Sequence, residues 1–447
     1  MLAVLSHPTY ARLFAAQVVA LLGTGLLTIA LGLLAYDIAG ERAGTVLGLA
    51  LTIKMVAYVG LSPVANAVVA RLNRKHVMIG ADLVRACAAL SLPFIDSAWQ
   101  IYLAVFILQA ASATFTPTFQ AVIPDVLPEE GDYTRALSLS RLAYDLENIV
   151  SPMLAGLLLT VLAADTLFFG TVAGFLVSAA LVRAAAVPAA RPGRQRPFRE
   201  RLTRGIRIYL ATPRLRGLLA LNGTVSAVGA VVLVQSVVIA RSAYGGGERA
   251  LAVALGAYGL GSMLAALALP RLLERRADRA VMGPAVTVAG LLMVGAGLWV
   301  ALAGWPAWPL FLVLWFALGL CLSAVMTPAG RLLRRSAQAE DLPPLFAAQF
   351  ALSHATWLFA YPVAGLAGSA LGVPMVMVGL GAVGLACALL ALRLWPAGQP
   401  AHLPHVHADL SADHPHLADA EKVAGGYRHA HPYVIDDMHP EWPRRPR

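Results

Sequence analysis

The sequence predicts an all-α membrane protein of about twelve transmembrane helices in two six-helix halves, with both chain ends on the cytoplasmic side. Apolar residues make up 59% of its 447 residues and charged residues only 13%, whereas soluble domains usually carry about 25% charged residues. The apolar residues form about twelve runs, each near the roughly 20 residues that a helix needs to cross a bilayer. This composition excludes a large soluble enzyme and a disordered chain.

The predicted spans fall into two sets of six. The first set lies near residues 10–36, 44–69, 77–97, 99–123, 134–162 and 164–187. The second set lies near residues 215–240, 248–272, 279–303, 307–331, 343–371 and 373–395. The predicted domains are an N-terminal six-helix bundle (1–187), a basic cytoplasmic linker with an amphipathic helix on the inner leaflet (188–214), a C-terminal six-helix bundle (215–396) and a cytoplasmic tail (397–447).

The orientation follows from the positions of the basic residues. Twenty-one Lys and Arg residues lie in or beside alternate gaps between the spans, whereas the intervening gaps hold only Arg42, Arg241 and Arg249. Because loops rich in Lys and Arg stay in the cytoplasm, both termini are predicted to lie inside. We therefore expect a multi-pass protein of the inner, cytoplasmic membrane.

Several functional classes lack the residues that they need. Cys87, Cys321 and Cys387 lie in apolar runs without a paired spacing, which argues against disulfides and cysteine-bound zinc. The basic residues crowd the loops and form no soluble face for nucleic acid. Neither a phosphate-binding GxxxxGK[ST] loop nor a GxSxG elbow occurs. We expect no enzyme activity, no cofactor and no nucleic-acid partner, and a monomer whose surroundings are the lipid bilayer.

The two predicted halves resemble each other. Gly60-Leu61 precedes the basic turn after span 2, and Gly259-Leu260 precedes the basic turn after span 8. Span 5 contains Ser151-Pro152 near its end, and span 11 contains Tyr361-Pro362. Over about residues 5–395 the chain resembles the major facilitator superfamily, and the resemblance implies a transporter whose halves rock about a central site.

The loop after span 2 departs from the pattern of that superfamily. Ala70 stands where an acidic residue normally precedes the basic cluster, so the usual cytoplasmic charge interlock lacks one partner. Asp82 and Arg85, one turn apart in span 3, are candidates to replace part of it. The predicted gating residues are Arg71, Arg74, Lys75, Asp82 and Arg85.

Charged residues inside the spans require an explanation, because a charge in the bilayer costs at least a few kcal/mol. In span 5, Arg141 and Asp145 share a helix face that Asn148 continues, and Glu147 lies on a neighbouring stripe. Lys54 sits near the middle of span 2. These five residues form either a structural network between helices or a site where a carboxylate, first Asp145 and then Glu147, binds a cation or carries a proton.

His354 in span 11 is predicted to lie about as deep as Asp145, because spans 5 and 11 correspond in the two halves. An imidazole can ligate a transition metal or change protonation near neutral pH. A hydrogen-bonded packing role is an equal alternative.

The tail holds eight of the eleven histidines and is otherwise polar, which predicts poor order. Its histidines include three His-x-His pairs, whose members project to the same side of an extended chain. Imidazoles favour Ni²⁺, Cu²⁺, Zn²⁺ and Co²⁺ over Mg²⁺ and Ca²⁺. The predicted metal ligands of the tail are His402, His405, His407, His414, His416, His429, His431 and His439.

A narrower resemblance rests on SLSRLAYDLEN at 138–148, RLLRRSA at 331–337, FAAQFALSH at 346–354 and the histidine-rich end. Together these segments resemble the nickel-resistance exporters of the superfamily. The resemblance implies export of Ni²⁺, possibly Co²⁺, from the cytoplasm. From the residues themselves we expect the ion to meet Asp145 and His354, with protons as the coupling ion. The alternatives are a multidrug, macrolide or siderophore exporter of the same fold and a membrane metal sensor or scaffold that transports nothing.

Overall fold

The computed structural model describes residues 2–39, 43–69, 72–159, 161–163, 165–189, 197–245, 248–398, 402–408, 410–411, 414–417 and 419–443. The N-terminal half consists of α1 (Pro8–Ala39), α2 (Ala43–Val69), α3 (Arg74–Ser91), α4 (Ala98–Val126), α5 (Glu130–Leu159) and α6 (Thr166–Ala184). The linker contributes α7 (Phe198–Ala211).

The C-terminal half begins with a long, irregular span. It comprises α8 (Pro213–Ala230) and the short α9 (Ser236–Val238), with π-helical turns at Val231–Gln235 and Ile239–Ala243. The following helices are α10 (Glu248–Arg275), α11 (Asp278–Ala303), α12 (Trp308–Met326), α13 (Ala329–Arg334), α14 (Leu342–Leu371) and α15 (Val373–Leu394). Short 3₁₀ turns cover Leu2–Ser6, Leu92–Phe94, Ala339–Asp341 and Pro415–Leu417.

The helices confirm the predicted all-α membrane fold. Within the described part of the chain, ten helical segments are long and apolar enough to cross a bilayer. The remaining two long helices, α5 and α14, are the ones that carry the polar residues singled out in spans 5 and 11. Their polarity makes them the natural place to look for a transport site.

Local sequence sets several helix ends. Asn73 caps α3, its side-chain oxygen accepting the backbone N–H of Lys75 at 2.9 Å. At the start of α4, the Gln100 side chain accepts the backbone N–H of Ser97 at 3.1 Å. Gly372, with φ +83°, separates α14 from α15 in a conformation that side chains rarely adopt.

The two halves meet through α2 against α14 and α5 against α10. The Ser62 hydroxyl of α2 donates to the Ala347 carbonyl of α14 at 3.2 Å. Within the C-terminal half, α10 and α12 approach so closely that a Cβ at Gly261 or Gly319 would lie 1.9 Å from a backbone oxygen of the other helix. Such small-residue contacts are how helices pack where lipid removes the hydrophobic driving force.

The sequence predicted that the linker helix lies on the inner leaflet. In the structure, one face of α7 packs against protein. Ile208 and Tyr209 are fully buried, and the Tyr209 hydroxyl donates to Gln349 of α14 at 2.5 Å. A Cβ at Gly205 would lie 1.9 Å from the Pro344 carbonyl oxygen. The apolar face of this amphipathic helix is therefore covered by α14, which leaves the basic face for water.

The described tail forms a small sheet, so the prediction of a poorly ordered tail is wrong for these residues. Strands β1 (Leu403–His407), β2 (Glu421–Val423) and β3 (Gly426–His431) pair antiparallel in the order β1-β3-β2. Tyr433 and Ile435 are buried in the core cluster of the C-terminal half, with Leu403 and Trp442 packed against it. The apolar residues scattered among the histidines are enough to dock this tail on the transporter body.

Candidate functional site

Arg141 and Asp145 of α5 form a buried ion pair at the contact between the halves. Arg141 Nη2 lies 3.0 Å from Asp145 Oδ1, and the same guanidinium donates to the Ser262 hydroxyl of α10 at 2.9 and 3.0 Å. Asp145 is 4% exposed, and its Oδ2 has no hydrogen-bond partner among the described residues. A buried carboxylate oxygen with an unused lone pair can accept a proton or a cation.

A second polar group lies between α2, α5 and α14. The Lys54 Nζ is 5.6 Å from the centroid of the Tyr58 ring, and that ring meets His354 edge-on at 4.7 Å between centroids. His354 Nδ1 donates to the Phe350 carbonyl at 2.7 Å, which leaves its Nε2 as the acceptor. Glu147 is close enough to Lys54 for their opposite charges to interact.

The structure therefore divides the predicted membrane site into two groups. Arg141 and Asp145 face α10 of the other half, whereas Glu147 and Ser151 face Gly25 of α1. His354 lies with Tyr58 and Phe350 rather than with Asp145. The side chain of Asn148, predicted to extend the Asp145 face, lies outside the described part of the chain.

The face predicted to be cytoplasmic is closed by ion pairs between the halves. Glu130, at the start of α5, pairs with Arg331 and Arg335 of the C-terminal half. Arg335 also donates to Asp278 at 3.0 Å, and Arg334 donates to the Pro128 carbonyl. This cluster joins the N-terminal half to the loop before α14, so it must open before the inner face can open.

The predicted gating residues do not make these contacts. Arg74 pairs with Asp125 at 2.6 Å inside the N-terminal half, and Lys75 takes part in the cap of α3. Asp82 and Arg85 pair with each other, with the Ser178 hydroxyl donating to Asp82 at 2.8 Å. The contacts described for Arg74, Asp82 and Arg85 lie within the N-terminal bundle, and Arg71 lies outside the described residues.

In the tail, the alternation of the strands brings the His-x-His pairs onto one face of the sheet. His405 is the register partner of His429, and residues two apart in a strand project to the same side. His407 and His431 therefore lie on the same face as this pair. The sequence predicted that the two members of each His-x-His pair project to the same side of an extended chain. The sheet places two such pairs, one on β1 and one on β3, on the same face.

The imidazoles on this face converge on a single point. One ligand nitrogen from each of five residues lies within 4.8 Å of all the others, namely those of His405, His416, His429, His431 and His439. His405 Nε2 lies 3.0 Å from His407 Nε2 and 3.0 Å from His429 Nε2, and 3.1 Å from His439 Nε2. His416 Nε2 and His431 Nε2 are buried without a hydrogen-bond partner among the described residues.

Hydrogen bonds at the other ring nitrogen turn the lone pairs toward this point. His405 Nδ1 donates to the Leu403 carbonyl at 2.9 Å, and His431 Nδ1 donates to the Pro432 carbonyl at 3.0 Å. His439, 2% exposed, donates from Nδ1 to Asp436 at 2.8 Å. Each Nε2 is then a bare lone pair, and a carboxylate or carbonyl behind the imidazole is the usual arrangement around a ligated metal.

Four imidazoles of the tail are held in their neutral form, which is the form that binds metal. Burial, reinforced by the neighbouring histidines, lowers the pKa of His407 and of His429 to about 4. The same causes lower the pKa of His405 and His416. At neutral pH each of these four imidazoles is therefore neutral, keeping one ring N–H and offering the other nitrogen as a metal ligand.

The distances from His405 Nε2 to the neighbouring imidazole nitrogens can be compared with those between ligands of one metal ion. With a metal–nitrogen bond of about 2.1 Å, neighbouring ligand atoms lie about 3.0 Å apart in an octahedron and about 3.4 Å apart in a tetrahedron. The three distances at His405 Nε2 are 3.0 to 3.1 Å. The contacts at His405, which include one to His407 outside the five-nitrogen group, have the spacing of neighbouring ligands in an octahedron.

Two predicted tail ligands lie away from the convergence point. His414 accepts the backbone N–H of His416 at 3.2 Å through Nδ1, and its ring centroid is 6.3 Å from that of His416. His402 is exposed and is not a member of the five-nitrogen group. Sequence reasoning missed Asp436 as an orienting residue, although its spacing of three from His439 signals a shared turn.

The comparisons with known proteins agree with the helical architecture. A family model described as Major Facilitator Superfamily matches residues 13–287, more than half of the chain. Macrolide efflux protein A of Streptococcus pyogenes is 28% identical over 172 residues, which are 37% of this chain and 42% of the relative. The Enterococcus faecalis protein of the same name is 31% identical over 127 residues, 27% of this chain and 39% of the relative. The chain thus spans about two fifths of the length of these relatives.

Solved structures share the fold over nearly their whole length. A bacterial homologue of the iron transporter ferroportin, in an outward-facing state, has a TM-score of 0.73 at 15% identity, covering 87% of this chain and 98% of that chain. The human organic anion transporter MFSD10 has a TM-score of 0.70 at 14% identity, covering 86% and 98%. At these identities the likeness concerns the fold alone.

Proposed function

The chain belongs to the Major Facilitator Superfamily, and from that premise we propose that it exports a divalent transition metal from the cytoplasm by alternating access. Ni²⁺ is the proposed cargo, with Co²⁺ next. The family and the fold are those of membrane transporters. The proposal adds the cargo, the direction and the coupling ion.

The observation that carries the proposal is the convergence of five imidazole nitrogens within 4.8 Å in the tail. Imidazoles whose Nε2 atoms lie 3.0 Å apart are spaced so that one transition-metal ion can bind several of them, and such an ion is the proposed occupant. Imidazole ligands suit Ni²⁺, Co²⁺ and Zn²⁺, and the choice of Ni²⁺ rests on the sequence resemblance to nickel-resistance exporters. If a transporter binds such an ion beside its cytoplasmic face, the simplest explanation is that it transports that ion.

The proposed path runs from the tail to the contact between the halves. Asp145 offers one carboxylate oxygen without a hydrogen-bond partner among the described residues, and His354 offers Nε2 as an acceptor. In this scheme Asp145 and His354 bind the ion one after the other, because they lie in separate clusters of polar residues. A proton that enters from outside competes for the same carboxylate, releases the metal and provides the coupling.

We further propose that the transporter acts as a monomer in the inner membrane. The closing contacts of the inner face, from Glu130 to Arg331 and Arg335, all lie within one chain. One copy therefore contains both halves that must rock. A sensor or scaffold would need the tail site but not the unpaired membrane carboxylate, and this difference favours a transporter.

Export of a macrolide or another organic compound is the second candidate. It is favoured by the two macrolide efflux proteins with which parts of the chain align. On this alternative the tail cluster would serve storage or sensing only. The Arg141–Asp145 pair would then bind a charged group of the organic compound.

A pair of cellular measurements distinguishes the two candidates. Cells without their own nickel exporter would express the intact chain or the His405→Ala/His429→Ala double variant, which keeps the tail backbone. We expect the intact chain to lower Ni²⁺ accumulation and raise nickel tolerance, with a smaller effect from the double variant. Raised macrolide tolerance with unchanged nickel accumulation would favour the organic exporter instead.

A further inference from the structure

A single turn connects the histidine cluster to the transporter body. Asp436 Oδ1 accepts the backbone N–H groups of Met438 and His439 at 2.9 and 2.8 Å. The Asp436 backbone N–H in turn donates a hydrogen bond to the His439 carbonyl at 3.2 Å. The turn 436–439 is thus closed from both sides, and its parts move together.

The two adjacent carboxylates of this turn serve different partners. Asp436 orients the His439 imidazole at the centre of the cluster through a 2.8 Å hydrogen bond. Asp437 Oδ1 accepts a hydrogen bond of 2.8 Å from Arg204 Nη1 of the linker helix α7. The turn therefore carries a candidate metal ligand and the contact to α7 within three residues.

Arg204 is the buried centre of the joint between α7 and α14. It is 2% exposed and pairs through two nitrogens with Asp341, immediately before α14. Gly205 next to it allows α7 to touch the Pro344 carbonyl oxygen. Asp341 balances the charge of this guanidinium, and Asp437 adds a second carboxylate that links the tail to the joint.

A second contact joins the same tail segment to the inner gate. Arg214 donates to the Tyr433 carbonyl at 3.5 Å and to the Arg335 carbonyl at 2.7 Å. Arg335 is one of the two arginines that hold Glu130 of the other half. Through Arg204 and Arg214, the docked tail is linked to the start of α14 and to the loop that closes the inner face.

We infer that metal held by the tail cluster locks the turn 436–439 against Arg204 and thereby stabilises the closed inner face of the transporter. The inference rests on the proposed metal function and adds a regulatory role to the tail. When cytoplasmic metal is scarce, the tail releases α7 and the inner end of α14 gains freedom. When metal is abundant, the docked tail favours the step in which the inner face closes behind the cargo.

The coupling must also operate in reverse. If metal favours docking, then docking favours metal by the same factor, because linked binding equilibria are reciprocal. A change that weakens the Asp437–Arg204 contact should therefore weaken metal binding at a cluster that it does not touch. A simple storage site would show no such effect.

Hydrogen exchange on the full-length chain in nanodiscs, with and without saturating NiCl₂, tests the inference. In the unsubstituted protein we expect Ni²⁺ to slow exchange about tenfold both in the tail strands and in residues 198–211 and 342–350. In Asp437→Asn, Ni²⁺ should still protect the strands but should protect α7 much less. Calorimetry should show about fivefold weaker nickel binding in that variant. The control Asp419→Asn removes an exposed tail carboxylate and should behave like the unsubstituted protein.

Two results would overturn the inference. One is nickel protection of the strands without any change in α7, and the other is equal α7 protection in Asp437→Asn and in the unsubstituted protein. Either result leaves nickel flux into liposomes untouched, so the proposed function is judged separately. An Asp437→Arg variant, which places two cations together, should undock the tail and abolish the nickel protection of α7.

Discussion

Asp145 combines a paired and an unpaired oxygen on one carboxylate. Oδ1 faces Arg141 at 3.0 Å, while Oδ2 has no hydrogen-bond partner within the described structure. Because Arg141 also binds Ser262 of the opposite half, a cation arriving at Oδ2 would disturb a contact between the halves. This is how one side chain can couple binding to a conformational change.

The Asp145→Asn variant should lose transport while keeping its fold. The amide retains the size of the side chain but can neither balance Arg141 nor hold a divalent ion. We expect nickel flux in liposomes to fall by about 10- to 100-fold, the range typical of altered metal-site residues. Asp37→Asn, at an exposed position of α1, should transport normally. Equal flux in the two variants would remove Asp145 from the path.

Asp436 should act on the metal only through His439. Replacing it in Asp436→Asn removes the charged acceptor behind the imidazole, which orients the ring and raises its basicity. Calorimetric titration of the full chain with NiCl₂ should show binding weaker by about 10- to 100-fold. The matched change Glu421→Gln, on an exposed strand position, should leave the affinity within about twofold.

At the scale of elements, α7 depends on one glycine for its place under α14. In Gly205→Ala the new Cβ would lie 1.9 Å from the Pro344 carbonyl oxygen, so the helices must separate. We expect a loss of about 1–3 kcal/mol, seen as a lower thermal midpoint of the detergent-solubilised protein.

The control for that helix contact is Gly131→Ala in α5. A Cβ there meets nothing within 4 Å, and alanine is the better helix former by about 1 kcal/mol. This variant should be unchanged or slightly more stable. Similar destabilisation in both variants would mean that the contact between α7 and α14 is not tight.

The start of α5 holds the inner gate. Glu130→Gln should weaken its contacts with Arg331 and Arg335, whereas Glu129→Gln changes an exposed neighbour and should have no effect. The variant Ser62→Cys places a thiol at a buried position. Its labelling by a polar maleimide, quantified by mass spectrometry, would report opening of the inner face. Labelling should rise about two- to fivefold in Glu130→Gln, the modest effect of a partly exposed ion pair. Unchanged labelling would place the gate elsewhere.

Sequence reasoning recovered the elements whose signal is local. The apolar runs predicted the helices, and the four-residue spacing of Arg141 and Asp145 predicted their ion pair. The gate was missed because Glu130 and its arginines are about 200 residues apart, and no local spacing reports such a contact. Asp82 and Arg85 were assigned to the gate because sequence gives their separation but not the direction in which they point.

The tail shows how composition can mislead. Its polar content predicted disorder, yet the His-x-His alternation is also the period of a strand. That alternation was used to place pairs of ligands, but not to infer that two strands would pair His405 with His429. The sequence also could not distinguish His402 and His414 from the converging histidines, since their positions depend on how the sheet docks.

At the scale of the whole molecule, three regions lie along the proposed path of the ion. On the proposed function the tail cluster collects the ion and the ion pairs around Glu130 close the inner face, while the Arg141–Asp145 pair lies where the halves meet. The shared tail segment makes the first region a natural regulator of the second. None of the three regions would be informative about cargo without the others.

Flux of radioactive nickel into inside-out proteoliposomes, driven by a proton gradient and compared with a labelled macrolide, tests the proposed cargo most directly. The account predicts nickel uptake that needs the gradient, stops when the gradient is collapsed and falls at least about tenfold in Asp145→Asn. Macrolide uptake without nickel uptake under every gradient would contradict it.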